Sequence, residues 1–183
     1  MTHSIHPLQD STAFTELFNI HHLTIFRYIY ALSGGSLQEA EDLTAETFLR
    51  AWKSRHRFEG DQNSALGWLL TIARHLVIDA ARRKKVRQVD TSIADIDDWQ
   101  PLHSQGHTPS AEHQAIHREQ VALLLEKLST LPADRRELLV LRYILGWQVK
   151  QIANHLGLVE NTASVYIRRA IEQIRRDWPS EDL

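Results

Sequence analysis

The sequence predicts an all-α protein: an N-terminal helical bundle and a C-terminal helix-turn-helix domain, two small helical domains joined by a flexible acidic linker. Three observations carry that expectation. Apolar residues recur at three- and four-residue steps over most of the chain, as on one face of a helix. No stretch carries a convincing strand pattern. The helical period fails between Asp90 and Ser110, where acids, Gly106 and two prolines take over.

Composition sets the outer bounds. A chain of 183 residues holds one ordinary domain or two small ones. With 43% hydrophobic and 24% charged residues it has enough apolar material for a core and the charge of an ordinary globular protein. No run of eighteen apolar residues suggests a membrane span, so no membrane insertion is expected. The opening MTHSIHPLQD has neither the basic nor the apolar region of a signal peptide. The absence of cysteine removes disulfides and thiolate metal sites and fits a cytoplasmic location. A net charge of −2 gives no hint of a polyanionic partner, but the charges are sorted into blocks. Arg82, Arg83, Lys84, Lys85 and Arg87 are followed by Asp90, Asp95, Asp97, Asp98 and Glu112 with no Lys or Arg between them. Local potential follows those blocks rather than their sum.

Residues 1–11 read as a lead-in. The spacing of Phe14, Leu17, Phe18, Ile25, Phe26, Ile29 and Leu32 predicts a helix from Thr12 to Leu32, broken by Ser33-Gly34-Gly35. Ser36 with Glu39 forms a capping-box pattern opening a second helix to about Lys53. Ala40, Leu43, Thr47, Phe48, Ala51 and Trp52 lie on one side of it, and Glu39, Asp42, Glu46 and Arg50 on the other. After a polar loop from Arg55 to Asn63, Ser64 is placed to cap a third helix. Its inward stripe is Leu66, Leu69, Leu70, Ala73, Leu76, Val77 and Ala80. Its other face carries Trp68, Arg74, His75, Arg82 and Arg83, read either as a solvated face or as a surface for a polyanion. Beyond the linker, in which Trp99 is an odd residue for a free tether, Val121, Leu124, Leu125 and Leu128 predict a helix ended by Leu131-Pro132. Leu138, Leu139, Leu141, Tyr143 and Ile144 predict another, stopped by Gly146.

The C-terminal stretch carries the most specific pattern. Gln148–Leu156 reads as a short helix with Val149, Ile152, Ala153 and Leu156 inward, Gly157 as the turn, and Leu158 as a corner plug. Asn161 or Thr162 then caps a longer helix with Val165, Ile167, Ala170, Ile171 and Ile174 inward. Short helix, glycine turn and longer helix make a helix-turn-helix, although an ordinary αα-hairpin with a solvated basic face has the same outline. Thr162, Ser164, Arg168, Arg169, Arg175 and Arg176 supply the small polar and cationic residues that such a helix uses on DNA.

These motifs together resemble the extracytoplasmic-function (ECF) sigma factors of the sigma-70 family, over about residues 12–178. The segment Ala40–Trp52 is similar to the family's polymerase-clamp motif, Trp68–His75 with Asp79 and Arg82-Arg83 to its −10 reader, and Leu131-Pro132, Gln151–Ala153, Leu156-Gly157, Thr162 and Arg169-Ala170 to its −35 reader. The resemblance implies a region 2-like domain at 12–89, a linker at 90–110 and a region 4-like domain at 111–178. It also implies a non-enzymatic RNA polymerase sigma factor, without catalytic residues, cofactor or metal, that directs promoter-specific initiation. Its implied partners are the β and β′ subunits of the polymerase core, promoter DNA and an anti-sigma factor. On the positions of this chain it implies core-polymerase contacts at Asp42, Leu43, Glu46, Phe48 and Arg50. For the −10 element it implies Arg57, Phe58, Asn63, Trp68, Arg74, His75, Arg82, Arg83 and Lys84, and for the −35 element Asn161, Thr162, Ser164, Val165, Arg168 and Arg169. Ala45 stands where the family has Gln, His75 where it has Asn, and Thr162-Ala163-Ser164-Val165-Tyr166 where it has Thr-Val, a basic residue and Ser-Arg.

Two other functions fit parts of the pattern. A helix-turn-helix transcriptional regulator acting on duplex DNA without core polymerase needs only the C-terminal motif. A helical metalloenzyme is suggested by eleven histidines, with His113/His117 and His103/His107 each four apart. Neither pair comes with the glutamate of a metalloprotease motif. The acidic linker is expected to screen the basic surfaces of the free protein through Asp95, Asp97 and Asp98.

Overall fold

The computed structural model describes residues 8, 10–60, 62–87 and 111–178; for 62, 63, 87 and 111–118 it describes the backbone only. All regular structure among the described residues is helical. The chain divides into two compact units, the first holding α1–α3 and the second α4–α7. The stretch from Asp90 to Ser110, with Trp99, His103 and His107, lies outside the described residues, as do the side chains of His113 and His117. No group of histidines and acids able to hold a metal occurs among the described residues.

In the first unit α1 spans Ser11–Leu32, α2 Leu37–Ser54 and α3 Gln62–Arg87. The first helix starts inside the expected lead-in, because the Asp10 carboxylate accepts from the Thr12 amide at 3.3 Å and caps it. Gly34 and Gly35 both take positive φ, which lets the chain turn sharply into α2. The core is assembled from all three helices: Leu17, Ile25, Tyr28 and Ile29 of α1, Ala40, Thr47 and Ala51 of α2, and Ala65, Leu69, Leu70, Ala73 and Leu76 of α3. The buried Thr47 hydroxyl donates to the Leu43 carbonyl at 2.7 Å, so its polarity is satisfied within α2. Phe14 meets Trp52 edge-on at 5.0 Å and Phe18 meets Phe48 at 4.8 Å, fastening α1 to α2. By length and composition α3 could cross a membrane, but its apolar stripe is the one buried against α1 and α2.

In the second unit α4 spans Ala111–Thr130 and α5 Ala133–Leu139, running on into a π turn over Val140–Ile144. Arg136 donates to the carbonyls of Ser129 at 2.9 Å and Leu131 at 3.2 Å, satisfying the end of α4. Burial lowers the pKa of that guanidinium. The expected helix over Leu138–Ile144 ends in a π turn. Leu145 donates back five residues to Val140, and the wider turn shifts the helical phase. Val140 and Leu141 become fully buried, while Tyr143 is 63% exposed. The unit is completed by α6, Val149–Leu156, and α7, Glu160–Arg176.

Candidate nucleic-acid interface

The sequence places Arg50 among polymerase contacts and His75 among DNA contacts; folding brings them together. Arg50, Lys53 and Ser54 at the end of α2, with Ile72 and His75 on α3, line a shallow cavity of about 360 Å³. Arg50 is already engaged, its Nε lying 2.7 Å from the Glu46 carboxylate. The Ser54 hydroxyl donates to the Arg50 carbonyl at 2.7 Å, which leaves its oxygen available as an acceptor. Arg50 in its pair with Glu46, the exposed Lys53 ammonium, the His75 imidazole and the Ser54 hydroxyl around Ile72 suit a phosphate with a base beside it. Sequence reasoning missed Lys53, Ser54 and Ile72. The available signal was their step from Arg50 and His75, three or four residues along the same helix faces.

The loop between α2 and α3 is held closed. Residues Arg55–Arg57 form a single 3-10 turn. The Arg55 guanidinium lies 3.6 Å over the Trp52 ring and donates to the Trp52 carbonyl at 2.7 Å. Phe58 is only 5% exposed and stacks at a tilt on Trp68, ring centres 4.9 Å apart. Gly60 is packed so closely that a Cβ there would lie 2.6 Å from the Phe58 ring and closer still to the Ser64 hydroxyl. Phe58 therefore shapes the loop from inside, while Arg57 stands exposed. Leu43 and Phe48 are likewise core residues, at 8% and 5% exposure, so the outward side of α2 is Asp42, Glu46, Leu49 and Arg50.

Two further helix starts, those of α3 and α7, differ from expectation. The third helix begins at Gln62, so Ser64 lies in its first turn instead of capping it, and Asn63, whose side chain is outside the described residues, is helical. The last turns of α3, from Ala81 to Val86, are exposed throughout. Arg82 lies 3.9 Å from Asp79, and Arg83 donates to the Asp79 carbonyl at 3.3 Å. Lys84 instead reaches across to α2 and pairs with Glu39 at 2.5 Å. Trp68 and Arg74 are half-buried and His75 is exposed.

In the second unit α6 and α7 pack on each other through Ile152, Ala153, Ala163, Ile167 and Ala170. Gly157 takes φ 67°, ψ 32°, and Leu158 donates to the Ala153 carbonyl at 2.8 Å, closing α6 with a left-handed cap. The seventh helix starts at Glu160 with Val159 at the cap and no side-chain capping bond. Asn161 and Thr162 thus sit in the first turn, not at the cap. Ala163 takes the inward place expected for Val165, which is half-buried. Asn161, Ser164, Arg168 and Arg169 are exposed and Thr162 is half-buried. Arg168 lies 3.8 Å from Glu172 on the next turn.

A short helix, a left-handed glycine and a longer helix with an exposed polar and basic face match the helix-turn-helix outline. The chain matches sigma-70 region 2 over residues 17–87 and sigma-70 region 4 over residues 122–174. The chain belongs to the ECF sigma factors. It is 31% identical to the ECF RNA polymerase sigma factor SigL of Mycobacterium tuberculosis over 159 residues, covering 87% of this chain and 85% of that one. Against SigX of Bacillus subtilis it is 27% identical, covering 89% and 82%. Its fold is similar to that of the sigma factor RpoE of Bartonella quintana, solved with the anti-sigma factor NepR, at a TM-score of 0.66 and 21% identity over 89% of this chain and 94% of that one. It is accordingly an RNA polymerase sigma factor, a transcription initiation factor that binds core polymerase and promoter DNA.

One feature of this sigma factor was not legible in its sequence. An apolar groove of about 180 Å³ opens between α4, the π turn and α7, lined by Leu124, Leu128, Tyr143, Ile144, Ile171 and Ile174. Tyr143 and Ile144 reach it from the π turn.

Proposed function

We propose that the two units divide promoter recognition, with residues 12–89 capturing the melted −10 strand, 111–178 reading the −35 duplex, and 90–110 tethering them. The observation that carries this reading is the cavity between α2 and α3, where Arg50, Lys53, Ser54 and His75 surround Ile72. An unstacked base that stacks on the His75 imidazole gains about 1–3 kcal/mol, which together with the charge contacts offsets much of a flipping cost of a few kcal/mol. Arg57, Trp68 and Arg74 flank that strand, with Phe58 supporting the loop beneath. Arg82 and Arg83 hold phosphates on the exposed end of α3, a term that weakens with salt.

The outward side of α2, through Asp42, Glu46 and Leu49, meets the β′ subunit of the core, with Leu43 and Phe48 setting its shape from within. The apolar groove of the second unit adds a protein-docking surface, in keeping with its exposed Leu124, Tyr143 and Ile144. The RpoE neighbour was solved with an anti-sigma factor, and an anti-sigma partner covering these faces is part of the proposal. The setting is the cytoplasm, and the chain performs no covalent chemistry. A helix-turn-helix regulator working without polymerase has no use for the α2–α3 cavity.

Run-off transcription with purified core tests the reading. Promoter-dependent product is expected from templates selected by the holoenzyme, and Lys53→Ala with His75→Ala should reduce it about tenfold or more at unchanged −35 binding. Product insensitive to both substitutions would overturn the assignment of the cavity.

A further inference from the structure

The reading helix of the second unit carries no cation in its first two turns. From Glu160 to Ile167 the exposed or half-buried side chains are Glu160, Asn161, Thr162, Ser164, Val165 and Tyr166; arginines begin at Arg168. That distribution matters because the N-terminal residues of a recognition helix are the ones that reach base edges. Each residue rises 1.5 Å, so Arg168 and Arg169 stand about 12 Å along the helix from its start. On a helix that enters the groove by its N-terminal end, that height suits the phosphate backbone, and Arg168 lies 3.8 Å from Glu172 in an exposed pair.

We infer that this sigma factor reads its −35 element chiefly through A·T pairs, with Asn161 and Val165 as the specificity-determining residues and Arg168 and Arg169 confined to phosphates. The inference rests on the assignment of α7 to the −35 duplex. Guanine is recognised most often by a bidentate Arg or Lys, and the first two turns offer neither. An asparagine amide matches the N6 and N7 pair of adenine, and Asn161 is exposed in the first turn. The thymine methyl is matched by an apolar contact, and Val165, half-buried one turn further on, supplies one. Ser164 is exposed and bonds either base type, adding contact without choice. The Glu160 carboxylate lies in the first turn, where it complements the positive end of the helix dipole; it offers guanine no donor, and the cytosine amino group is the one G·C donor it can accept from.

The test is transcription by the complete holoenzyme from a template library randomised across the −35 element, with transcripts sequenced to give base preferences at each position. The wild type should enrich A·T pairs at two or more adjacent positions. Asn161→Ala should flatten preference at one of them by about tenfold and leave the others unchanged. Val165→Ser, which removes both γ-methyl groups, should do the same at a neighbouring position, and Val165→Thr, which keeps one of them, should restore it. Arg169→Ala should lower output from every template alike without changing any preference. A library dominated by G·C pairs, an Asn161→Ala profile identical to the wild type, or position-specific flattening by Arg169→Ala would overturn the inference. A wild-type profile with no −35 preference at all would instead sink the assignment of α7, and with it this inference. Asn161 is exposed, so its variant should fold, and matching thermal melts confirm that loss of preference is not loss of structure.

Discussion

The two surfaces proposed to face DNA are built in opposite ways. The proposed −35 reader is local: one contiguous stretch from Val149 to Arg176 supplies both helices, the turn and every exposed side chain on α7. The site proposed for the −10 strand is assembled at a distance, with the end of α2 brought against the middle of α3 and Glu39 brought to Lys84 across 45 residues. A local site depends on turn chemistry and helix phase. An assembled site depends on the core that holds its parts together, and it changes the roles of residues that look independent in sequence.

The strongest way to break that contrast is through the core. Leu70 is fully buried in α3, and Leu70→Ala should destabilise the chain by about 2–5 kcal/mol. Denaturant unfolding measures it, and −10 opening should fail before −35 duplex binding does. Next comes the loop. A Cβ at Gly60 runs into the Phe58 ring, so Gly60→Ala should cost about 1–3 kcal/mol. Gly157→Ala in the second unit meets no neighbouring atom, and its penalty there is only that of the left-handed backbone, about 1–2 kcal/mol. Thermal melts of the two variants compare a packing glycine with a conformational one.

Those glycines also show what could be read from sequence alone. Gly157 was legible because a glycine after a short amphipathic helix has one common use. Gly60 was not, because its role is set by a ring two residues away and a hydroxyl four residues on. The three-helix and helix-turn-helix outlines followed from periodicity, since helical phase is a local property. Lys84 shows the limit most clearly: in sequence it is one of five clustered cations, and only the fold gives it a partner. Tyr143 and Ile144 belong to the apolar pattern that predicts a helix, yet both are exposed, because a π turn leaves no trace in a 3.6-residue pattern. Arg50 and His75, separated by a loop, could not be joined by any spacing rule.

The Lys84–Glu39 pair sharpens the contrast on a smaller scale. A partly exposed ion pair is worth about 0.2–1 kcal/mol. Lys84→Glu should lose it, and the double exchange Glu39→Lys with Lys84→Glu should recover much of it, as read by unfolding midpoints. If Lys84 serves α2 rather than DNA, its substitution should leave the salt dependence of DNA binding nearly unchanged. Loss of Arg82 or Arg83 should reduce that slope by about 0.7–0.9 for each phosphate contact given up. The smallest effect expected is on pH. Burial holds the His21 imidazole below its ordinary 6.5, so the unfolded chain binds that proton more tightly. Stability from this group is then complete above that value and declines as pH falls through it toward the lower folded value. His21→Gln should flatten that decline in urea midpoints taken between about pH 7.5 and pH 5.

The assembled site is tested most directly by base unstacking in the −10 element, followed with a fluorescent adenine analogue in the non-template strand of a holoenzyme–promoter complex. Lys53→Ala and His75→Ala should each suppress the unstacking signal while −35 duplex affinity stays within about twofold of the wild type. Arg169→Ala should do the reverse, weakening duplex affinity and sparing unstacking once the complex is saturated. Equal loss of both signals in all three variants, or an unstacking signal untouched by Lys53→Ala and His75→Ala, would contradict the division of labour proposed for the two units.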